Sequence, residues 1–370
     1  MNGANLVLIK AGVIVGTLVL AVLLEALILP EILKIARKLH IYDIPNGRKI
    51  HQTPIPRIAG LSFMPVMVIV IGLSGVARLL FVNDTILAPN LKNQTITYIL
   101  FAMGLTLLYL VGAADDLVGI SYKRKACVQI VAACLLPIGG FWINNFGGLF
   151  GIHALPPVIG IPLTILIIVY IINAINLIDG LDGLAAGLVS IAMLTLAIIC
   201  FHSAHFSIGI LAVATLGILV VFLRYNLLNR PPRKLFMGDA GSMSLGYVLS
   251  LLIIHFWNGR IDWDPFSTNM HIISIVALAI PLLDEFHVFT LRLVHHRNPF
   301  LPDKTHIHHR LLACGISPLS TLFILCTAAI ILIIFNIALA PYLGPNTLFC
   351  IDVFIWIVAN IFISKKRKVR

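Results

Sequence analysis

Five aspartates lie at the edges of long apolar segments, where a membrane-spanning chain least easily keeps a charge. They are Asp115, Asp116, Asp179, Asp182 and Asp239. Carboxylates are scarce here, since charged residues make up 11% of the chain and hydrophobic residues 59%. An ionised side chain near hydrocarbon is costly unless it is paired or reaches water. The five aspartates therefore indicate a functional site, and one that holds a cation.

The densest signal is the segment 173–183, which reads NAINLIDGLDG. In a helix, Asn173, Asn176 and Asp179 are spaced i, i+3 and i+6 and share one face. Amide and carboxylate oxygens together suit Mg²⁺, which keeps several waters and takes substrate phosphates as further ligands. The alternative is a helix-end turn rich in Asn, Asp and Gly. Such a turn needs neither the spaced asparagines nor the two acids, so we favour the metal site.

The segment 236–242, which reads FMGDAGS, comes directly before another apolar run. Gly238 and Gly241 flank Asp239, and Ser242 is of a type that caps helices. A helix N-terminus also attracts phosphate. A structural helix cap without further function is the alternative.

The adjacent carboxylates Asp115 and Asp116 repel each other. A divalent cation or a nearby lysine relieves that repulsion, and Lys125 follows within the basic segment 123–125. The alternative is a solvated helix end whose basic patch contacts lipid headgroups.

Two further segments are basic. Five of the 13 histidines fall within residues 295–309, where we favour recognition of phosphate by His, Lys and Arg over a zinc site. Asp284 and Glu285, shortly before this segment, either orient it or pack within a helix. The Pro-rich segment 43–57 binds an anionic substrate or anchors the chain to headgroups, and the residues leave both readings open.

The chain is predicted to be an all-α, polytopic helical bundle in a membrane. Its mean hydropathy is +1.02 over 370 residues, and its apolar runs have the length of a spanning helix, about 17–25 residues. The strands of a membrane barrel would instead alternate polar and apolar residues. We predict about 11 transmembrane helices, at residues 5–30, 59–81, 95–113, 126–145, 158–178, 184–203, 207–224, 243–257, 271–291, 317–340 and 347–364.

The basic residues orient this bundle, because 22 of the 26 fall on alternate loops or on the tail. The positive-inside rule makes those loops cytoplasmic, with the N-terminus outside and the C-terminus in the cytoplasm. The net charge of +11 reflects this bias and attraction to anionic headgroups, so no nucleic-acid partner is expected. One domain over 1–370 is predicted, and its chemistry-bearing cytoplasmic loops are 31–58, 114–126, 179–183, 225–242 and 292–316.

In this order and on one face, these blocks resemble the polyprenyl-phosphate N-acetylhexosamine-1-phosphate transferases. The resemblance covers about residues 40–312, and the patterns NxxNxxDGxDG at 173–183 and GDxGS at 238–242 are specific together. The run 298–303, leading into His306–His309, resembles the WecA-type GlcNAc-1-phosphate transferases of that superfamily. One departure is Ala59, where the family usually has the first of two glycines.

The resemblance implies a role for each matching residue. Asp239 and Asn176 would ligate Mg²⁺, with Mn²⁺ as a substitute. Asp115 or Asp116 would lie by the lipid phosphate, Lys125 would contact a diphosphate, and Asp182 and Phe236 would border a uracil. The expected catalytic residues are Asp115, Asp116, Asp179, His308 and His309. The expected substrate-binding residues are Lys125, Asp182, Phe236, Asn173, His306, Arg310, Lys49 and Arg57.

The implied reaction is displacement of UMP from UDP-GlcNAc by undecaprenyl phosphate, the first membrane step of a cell-envelope polysaccharide such as O-antigen. Phosphoryl transfer needs in-line positioning and neutralisation of developing charge, which acids with Mg²⁺ and lysines supply. We favour direct attack over a covalent intermediate. Because the acceptor is a lipid, we expect the site at the cytoplasmic face of the inner membrane. Whether the chain forms a homodimer is left open.

Three alternatives remain at the level of sequence. The same reaction with another UDP-N-acetylhexosamine, such as UDP-GalNAc, would use the same residues. A metal-dependent lipid-diphosphate hydrolase would share the acids and histidines but would need an activated water. A cation-coupled transporter would carry acids too, although it would place them mid-span beside broken helices.

Overall fold

The computed structural model describes residues 3–43, 54–81, 91–203, 205–258, 269–296 and 305–368. Lys49, for which we predict substrate binding, lies outside these ranges. The helices are α1 (Gly3–Lys38), α2 (Phe63–Phe81), α3 (Leu91–Val118), α4 (Tyr122–Ile138), α5 (Pro157–Ile178), α6 (Leu184–His202), α7 (Phe206–Leu223), α8 (Gly238–Trp257), α9 (Met270–Val276), α10 (Ala279–Val294), α11 (Ile307–Ala313), α12 (Pro318–Leu339) and α13 (Pro345–Lys368). The described residues form no β-strand beyond two isolated bridges.

The predicted all-α polytopic membrane protein is confirmed. Among the described residues, nine helices are long and apolar enough to cross a membrane. A tenth span results if α9 and α10, which meet at 69°, count as one. The predicted span 126–145 differs from the structure, where α4 has 17 residues and starts at Tyr122. Its first turn contains the three basic residues 123–125, and it ends where Gly139 and Gly140 follow Pro137.

Helix α8 is the centre of the bundle, and nearly every one of its residues is buried. It packs mainly against α3 and α5, with further contacts to α2, α6, α7 and α9. Small residues in its first turns allow close packing of helices. The outer helices α1 and α13 instead expose large apolar side chains such as Leu8, Leu27 and Phe362, which suits contact with lipid.

Two glycines bring the neighbouring segments against the start of α8. A Cβ on Gly112 of α3 would lie 2.5 Å from the Cα of Ala240. A Cβ on Gly60, in the 3₁₀ turn Ala59–Leu61, would overlap the backbone of Gly241. Both positions therefore require glycine: Gly112 allows α3 with its acids to approach the start of α8, and Gly60 allows the 3₁₀ turn to do so.

Candidate active site

Four helix ends meet at one end of the bundle and carry the charged residues that the sequence analysis selected. Asp115 and Asp116 lie in the last turn of α3, and Lys125 lies in the first turn of α4. Asn176 lies in the last turn of α5, and Asp239 in the first turn of α8. Residues separated by more than a hundred positions in sequence thus share one location.

Asp115, Lys125, Asn176 and Asp239 form what we call the carboxylate cluster. The Lys125 Nζ pairs with the Asp239 carboxylate and lies 3.5 Å from Asp115 Oδ2. The Asn176 amide donates to Asp239 Oδ1 at 3.2 Å and to Ser242 Oγ at 2.8 Å. The side chains of Asp115 and Asp239 lie within hydrogen-bond reach of each other. Two carboxylates and one ammonium are therefore held in direct contact, each partly accessible.

Asp116 is held differently from its neighbour Asp115. Its carboxylate is fully buried and accepts the backbone N–H groups of Asp239 at 2.8 Å and Ala240 at 3.0 Å. Arg57 Nε lies 3.3 Å from the same carboxylate. A carboxylate at a helix N-terminus satisfies unpaired N–H groups and the positive end of the helix dipole. The geometry makes Asp116 and Arg57 the residues that fix the start of α8, beside the carboxylate cluster.

The 3₁₀ turn at Ala59–Leu61 supports the segment that leads into α8. The Ala59 N–H donates to the Phe236 carbonyl at 3.1 Å, and the Gly60 N–H donates to the Met237 carbonyl at 2.8 Å. Ala59 is buried, and its side chain is accommodated without loss of either bond. The departure from the usual glycine at position 59 therefore leaves the turn intact, while Gly60 remains indispensable.

Asn173 lies one turn further into the bundle than Asn176. Its amide donates to Gln129 Oε1 of α4 at 3.1 Å and to the Val169 carbonyl at 2.8 Å. The structure thus links Asn173 to α4 and does not bring it to Asp239. Within the described residues, its contacts are those of a helix-packing residue.

Asp179 and Asp182 lie in the turn between α5 and α6. Asp179 is half-buried and makes no hydrogen bond or ion pair with any residue that the structure describes. Burial and the negative charges of Asp239, Asp116 and Asp182 raise the pKa of Asp179 well above its usual range. Its surroundings therefore favour the protonated form of Asp179 more than water does.

Asp182, Lys234 and Phe236 form a second group, which we call the loop edge. The Lys234 ammonium pairs with the Asp182 carboxylate and lies 5.9 Å from the centre of the Phe236 ring. The Asp182 side chain is 36% exposed and is the most accessible acid of the site. A cation, an anion and an aromatic ring thus border the site beside the carboxylate cluster.

Asn226 ties the two segments of the loop edge together, although sequence analysis did not select it. It is buried in a π-helical turn, Arg224–Leu228, after α7. Its Oδ1 accepts the Gly183 N–H at 2.6 Å, and its Nδ2 donates to the Leu235 carbonyl at 2.9 Å. Lys234 was also not selected. Both residues sit in a segment whose sequence has no acid and no regular spacing, so only the tertiary contact reveals them.

The histidines of α11 approach the site from another side. Asp284 of α10 accepts the Ile307 N–H at 2.8 Å and lies 2.9 Å from His306 Nδ1, so it orients the segment. The His308 ring is buried against Gly180, and neither of its ring nitrogens has a hydrogen-bond partner among the described residues. Burial and the neighbouring His309 and His306 lower the pKa of His308 well below its usual range, so His308 is neutral.

Arg310 lies away from the carboxylate cluster. Its guanidinium pairs with the Asn360 side chain and donates to the Asn360 carbonyl at 3.0 Å and to Ser364 Oγ at 2.8 Å. It also lies 3.2 Å from His287 Nε2. The structure thus joins Arg310 to α13 and α10 and does not bring it to the predicted substrate site.

Comparisons with known proteins show which family the chain belongs to. Residues 98–256 match the model of a family described as glycosyl transferase family 4. The chain is 31% identical over 352 residues to a probable undecaprenyl-phosphate N-acetylglucosaminyl 1-phosphate transferase of Bacillus subtilis (strain 168), covering 94% of this chain and 92% of that protein. The chain belongs to this transferase family. Two undecaprenyl-phosphate alpha-N-acetylglucosaminyl 1-phosphate transferases are also similar. The one from Yersinia pestis is 28% identical (89% of this chain, 83% of that protein), and the one from Escherichia coli (strain K12) is 29% identical (81% and 76%).

The family match coincides with the core of the site. Its residues 98–256 contain every member of the carboxylate cluster and of the loop edge. Arg57 and the histidines of α11 lie outside residues 98–256. The match to the Bacillus subtilis relative covers 94% of this chain and is long enough to include them. The part of the chain that matches the family model therefore includes the carboxylate cluster and the loop edge.

The donor set of the carboxylate cluster fits a magnesium ion that binds together with its substrate. Within the described residues, no three His, Cys, Asp or Glu side chains are grouped as a preformed metal site. Mg²⁺ needs no such group, because it is commonly held by one or two carboxylates together with waters and substrate phosphates. Asp239 and Asp115 provide two carboxylates, and Asn176 provides an amide.

Proposed function

We propose that this protein transfers GlcNAc-1-phosphate from UDP-GlcNAc to undecaprenyl phosphate and releases UMP. The names of its relatives supply the substrates. The observation that supports the proposal most directly is that the Lys125 ammonium group lies between the carboxylates of Asp115 and Asp239. Such an arrangement suits a diphosphate, whose negative charge needs a positioned cation.

The reaction balances with one bond made and one broken. An oxygen of the lipid phosphate attacks the phosphorus that bears the sugar, and the bond from that phosphorus to the oxygen of UMP breaks. A phosphate monoester is largely dianionic near neutral pH, so the attacking oxygen needs no general base. Direct attack in a single displacement is the mechanism that we propose.

The residues of the carboxylate cluster divide this task. Lys125 contacts the diphosphate oxygens, and its two carboxylate partners fix the direction of its ammonium group. Asp115 lies next to the expected position of the lipid phosphate. Asp239 and Asn176 would hold Mg²⁺, which when bound would supply positive charge against the negative charge that develops in the transition state.

The loop edge is proposed to bind the uridine. The half-exposed Asp182 carboxylate accepts hydrogen bonds, as the N–H of a uracil would require. Phe236 offers a ring for the base to stack on. Lys234 pairs with Asp182, which holds the carboxylate in place. The nucleotide would then lie with its base at the loop edge and its diphosphate at the carboxylate cluster.

The site is further proposed to face the cytoplasm at the level of the lipid headgroups in the inner membrane. The ends of α3 and α8 that carry it adjoin the basic segments 123–125 and 224–234, and basic segments of this kind stay on the cytoplasmic side. A lipid phosphate and a water-soluble nucleotide sugar can meet only at that level.

One assay tests the proposal. Purified protein is incubated with undecaprenyl phosphate, Mg²⁺ and a panel of UDP-sugars, and the lipid product and the released nucleotide are identified by mass. We expect undecaprenyl-diphospho-GlcNAc and UMP in equal amounts. A parallel incubation contains undecaprenyl diphosphate instead, and release of inorganic phosphate there, without a glycolipid product in the first incubation, would indicate a hydrolase. A product formed only with another UDP-sugar would change the donor but keep the reaction.

A further inference from the structure

A crevice between α10 and α13 lies away from the carboxylate cluster and combines apolar and cationic side chains. Its volume is about 310 Å³. The lining residues are His287, Trp356, Ile357, Asn360, Ile361, Ser364 and Lys365. All but His287 belong to the last three turns of the apolar part of α13, which ends at Lys365.

The lining changes from apolar to cationic along the axis of α13. Ile357, Ile361 and Lys365 are spaced by four residues and share one face of α13. The two isoleucines are each 49% exposed, and the lysine stands one turn beyond them at the end of the span. An apolar wall below and a cation above match a lipid acyl chain and its headgroup.

Arg310 adds a second, permanent cation directly behind this wall. Its guanidinium is buried and hydrogen-bonded to three of the lining residues, Asn360, Ser364 and His287. Since the guanidinium donates to His287 Nε2, that imidazole nitrogen acts as an acceptor. The next residues of the sequence, 366–368, are all Lys or Arg, and a basic cluster just beyond a spanning helix is typical of anionic-lipid binding.

A second groove on the membrane-spanning helices lacks the charge that this crevice carries. The groove between α1 and α2 is larger, about 650 Å³, and its lining contains no charged residue among those described. Thr17 and Ser74 are its polar members, and their hydroxyls bond to each other at 2.7 Å. That groove suits acyl chains of any lipid, whereas the α10–α13 crevice adds a cation at headgroup level.

We propose that the α10–α13 crevice binds an anionic phospholipid of the surrounding membrane. The phosphate lies at Lys365, in the positive potential of Arg310, and an acyl chain lies along Ile361, Ile357 and Trp356. A lipid bound there joins α13 to α10 and, through Arg310, to the α11 histidines. This proposal needs only the membrane bundle and is independent of the sugar that the enzyme transfers.

Trp356 provides a direct probe, because bromine atoms on an acyl chain quench a nearby indole. Purified protein in detergent is titrated with brominated phosphatidylglycerol or brominated phosphatidylcholine. The quenching that Trp356→Phe removes is assigned to Trp356, one of four tryptophans. We expect half-maximal quenching of Trp356 at a severalfold lower concentration of the anionic lipid.

Lys365→Gln tests the cation, and Lys34→Gln is the matched control, an exposed lysine of α1 paired with Glu31. Because each basic residue near an anionic surface contributes about 1 kcal/mol, Lys365→Gln should raise the half-maximal phosphatidylglycerol concentration about fivefold. The phosphatidylcholine titration and the Lys34→Gln protein should be unchanged. Equal quenching by both lipids, or an unchanged preference in Lys365→Gln, would overturn the proposal. Native mass spectrometry of the same samples counts the retained lipid independently of fluorescence.

Discussion

The carboxylate cluster and the loop edge hold their charged residues in different ways. The cluster draws its members from the ends of four helices, and Asp115, Lys125 and Asp239 are each less than one-fifth exposed. The loop edge draws its members from two turns, and its acid, Asp182, is 36% exposed. Rigid elements position catalytic groups more accurately than loops do. The difference supports our proposal that the reaction takes place at the cluster and that the loop edge recognises the nucleotide.

Among the variants that test this comparison, Asp239→Asn should cause the largest loss of kcat. The change keeps the size of the side chain but removes the anionic ligand, so kcat should fall about a hundredfold or more. Raising Mg²⁺ or supplying Mn²⁺ should restore part of the rate, and the melting temperature should change little, since Lys125 retains Asp115. The transferase rate is measured against metal concentration for both proteins. A near-wild-type rate with unchanged metal dependence would contradict the metal assignment.

Lys125→Gln should rank second, and Lys123→Gln is its matched control two residues earlier in the same helix turn. Lys125 contacts two acids of the cluster, whereas Lys123 is exposed. Loss of one positioned donor to developing charge typically lowers kcat by about 100-fold; the remaining Mg²⁺ charge should leave this loss below that of Asp239→Asn. Steady-state kinetics of both variants check it. Equal losses in the two variants would mean that only the overall charge of the loop matters.

Asp182→Asn should change KM and spare kcat, because the loop edge contacts the nucleotide in both the ground state and the transition state. Loss of a hydrogen bond to a charged acceptor corresponds to about tenfold in affinity, so KM for UDP-GlcNAc should rise by about that factor. The comparison of kcat and KM at saturating undecaprenyl phosphate measures it. A large fall in kcat at unchanged KM would move Asp182 into the reacting centre.

Asn226→Ala tests whether the two turns of the loop edge act together. The change leaves the Gly183 N–H and the Leu235 carbonyl without their partner, at a cost of about 1–3 kcal/mol in stability. KM for UDP-GlcNAc should rise severalfold with a smaller change in kcat. Asn229→Ala is the control, because Asn229 lies three residues later and is half-buried, and its amide makes only a long hydrogen bond, 3.4 Å, to the Arg233 carbonyl. If KM is unchanged while the melting temperature falls, Asn226 contributes to the stability of the fold and not to nucleotide binding.

Removal of zinc should have the smallest effect. His306 contacts Asp284 and His308 is buried against Gly180, and we expect this segment to hold an anionic substrate rather than zinc. A chelator that removes zinc but leaves Mg²⁺ free should leave the rate unchanged. Metal analysis of active protein accompanies the assay. Stoichiometric zinc whose removal abolishes activity would assign the histidines to a metal site.

The sequence predicts the membrane bundle and most of the carboxylate cluster, for a physical reason. Charged and amide residues at the ends of apolar helices must meet water at one level of the membrane, so they come together there. Asp115, Asn176 and Asp239 are predicted on this ground and Lys125 from the family resemblance, and the structure brings the four into contact. The prediction depends on where each apolar helix ends, and the local sequence shows this.

The different contacts that these residues make cannot be predicted from the local sequence. Asp115 and Asp116 are adjacent, but one helix step turns their side chains in different directions, so only Asp116 caps α8. Arg310 follows the histidines in sequence, yet its guanidinium is bound by α13. Lys234 and Asn226 reach the site only because a loop folds back onto the turn between α5 and α6. These outcomes depend on which helix packs beside which, and one sequence does not reveal that.

Binding of UMP tests the central claim most directly, because UMP contains the uridine but lacks the phosphorus at which the reaction occurs. Its dissociation constant is measured by equilibrium titration for the wild type, Asp239→Asn and Asp182→Asn, in the same detergent and at the same Mg²⁺ concentration. The account predicts that Asp182→Asn binds UMP about tenfold more weakly, whereas Asp239→Asn stays within about twofold of the wild type despite its loss of turnover. Weakened UMP binding in Asp239→Asn together with unchanged UMP binding in Asp182→Asn would contradict the account that the reaction takes place at the carboxylate cluster and that the loop edge recognises the nucleotide.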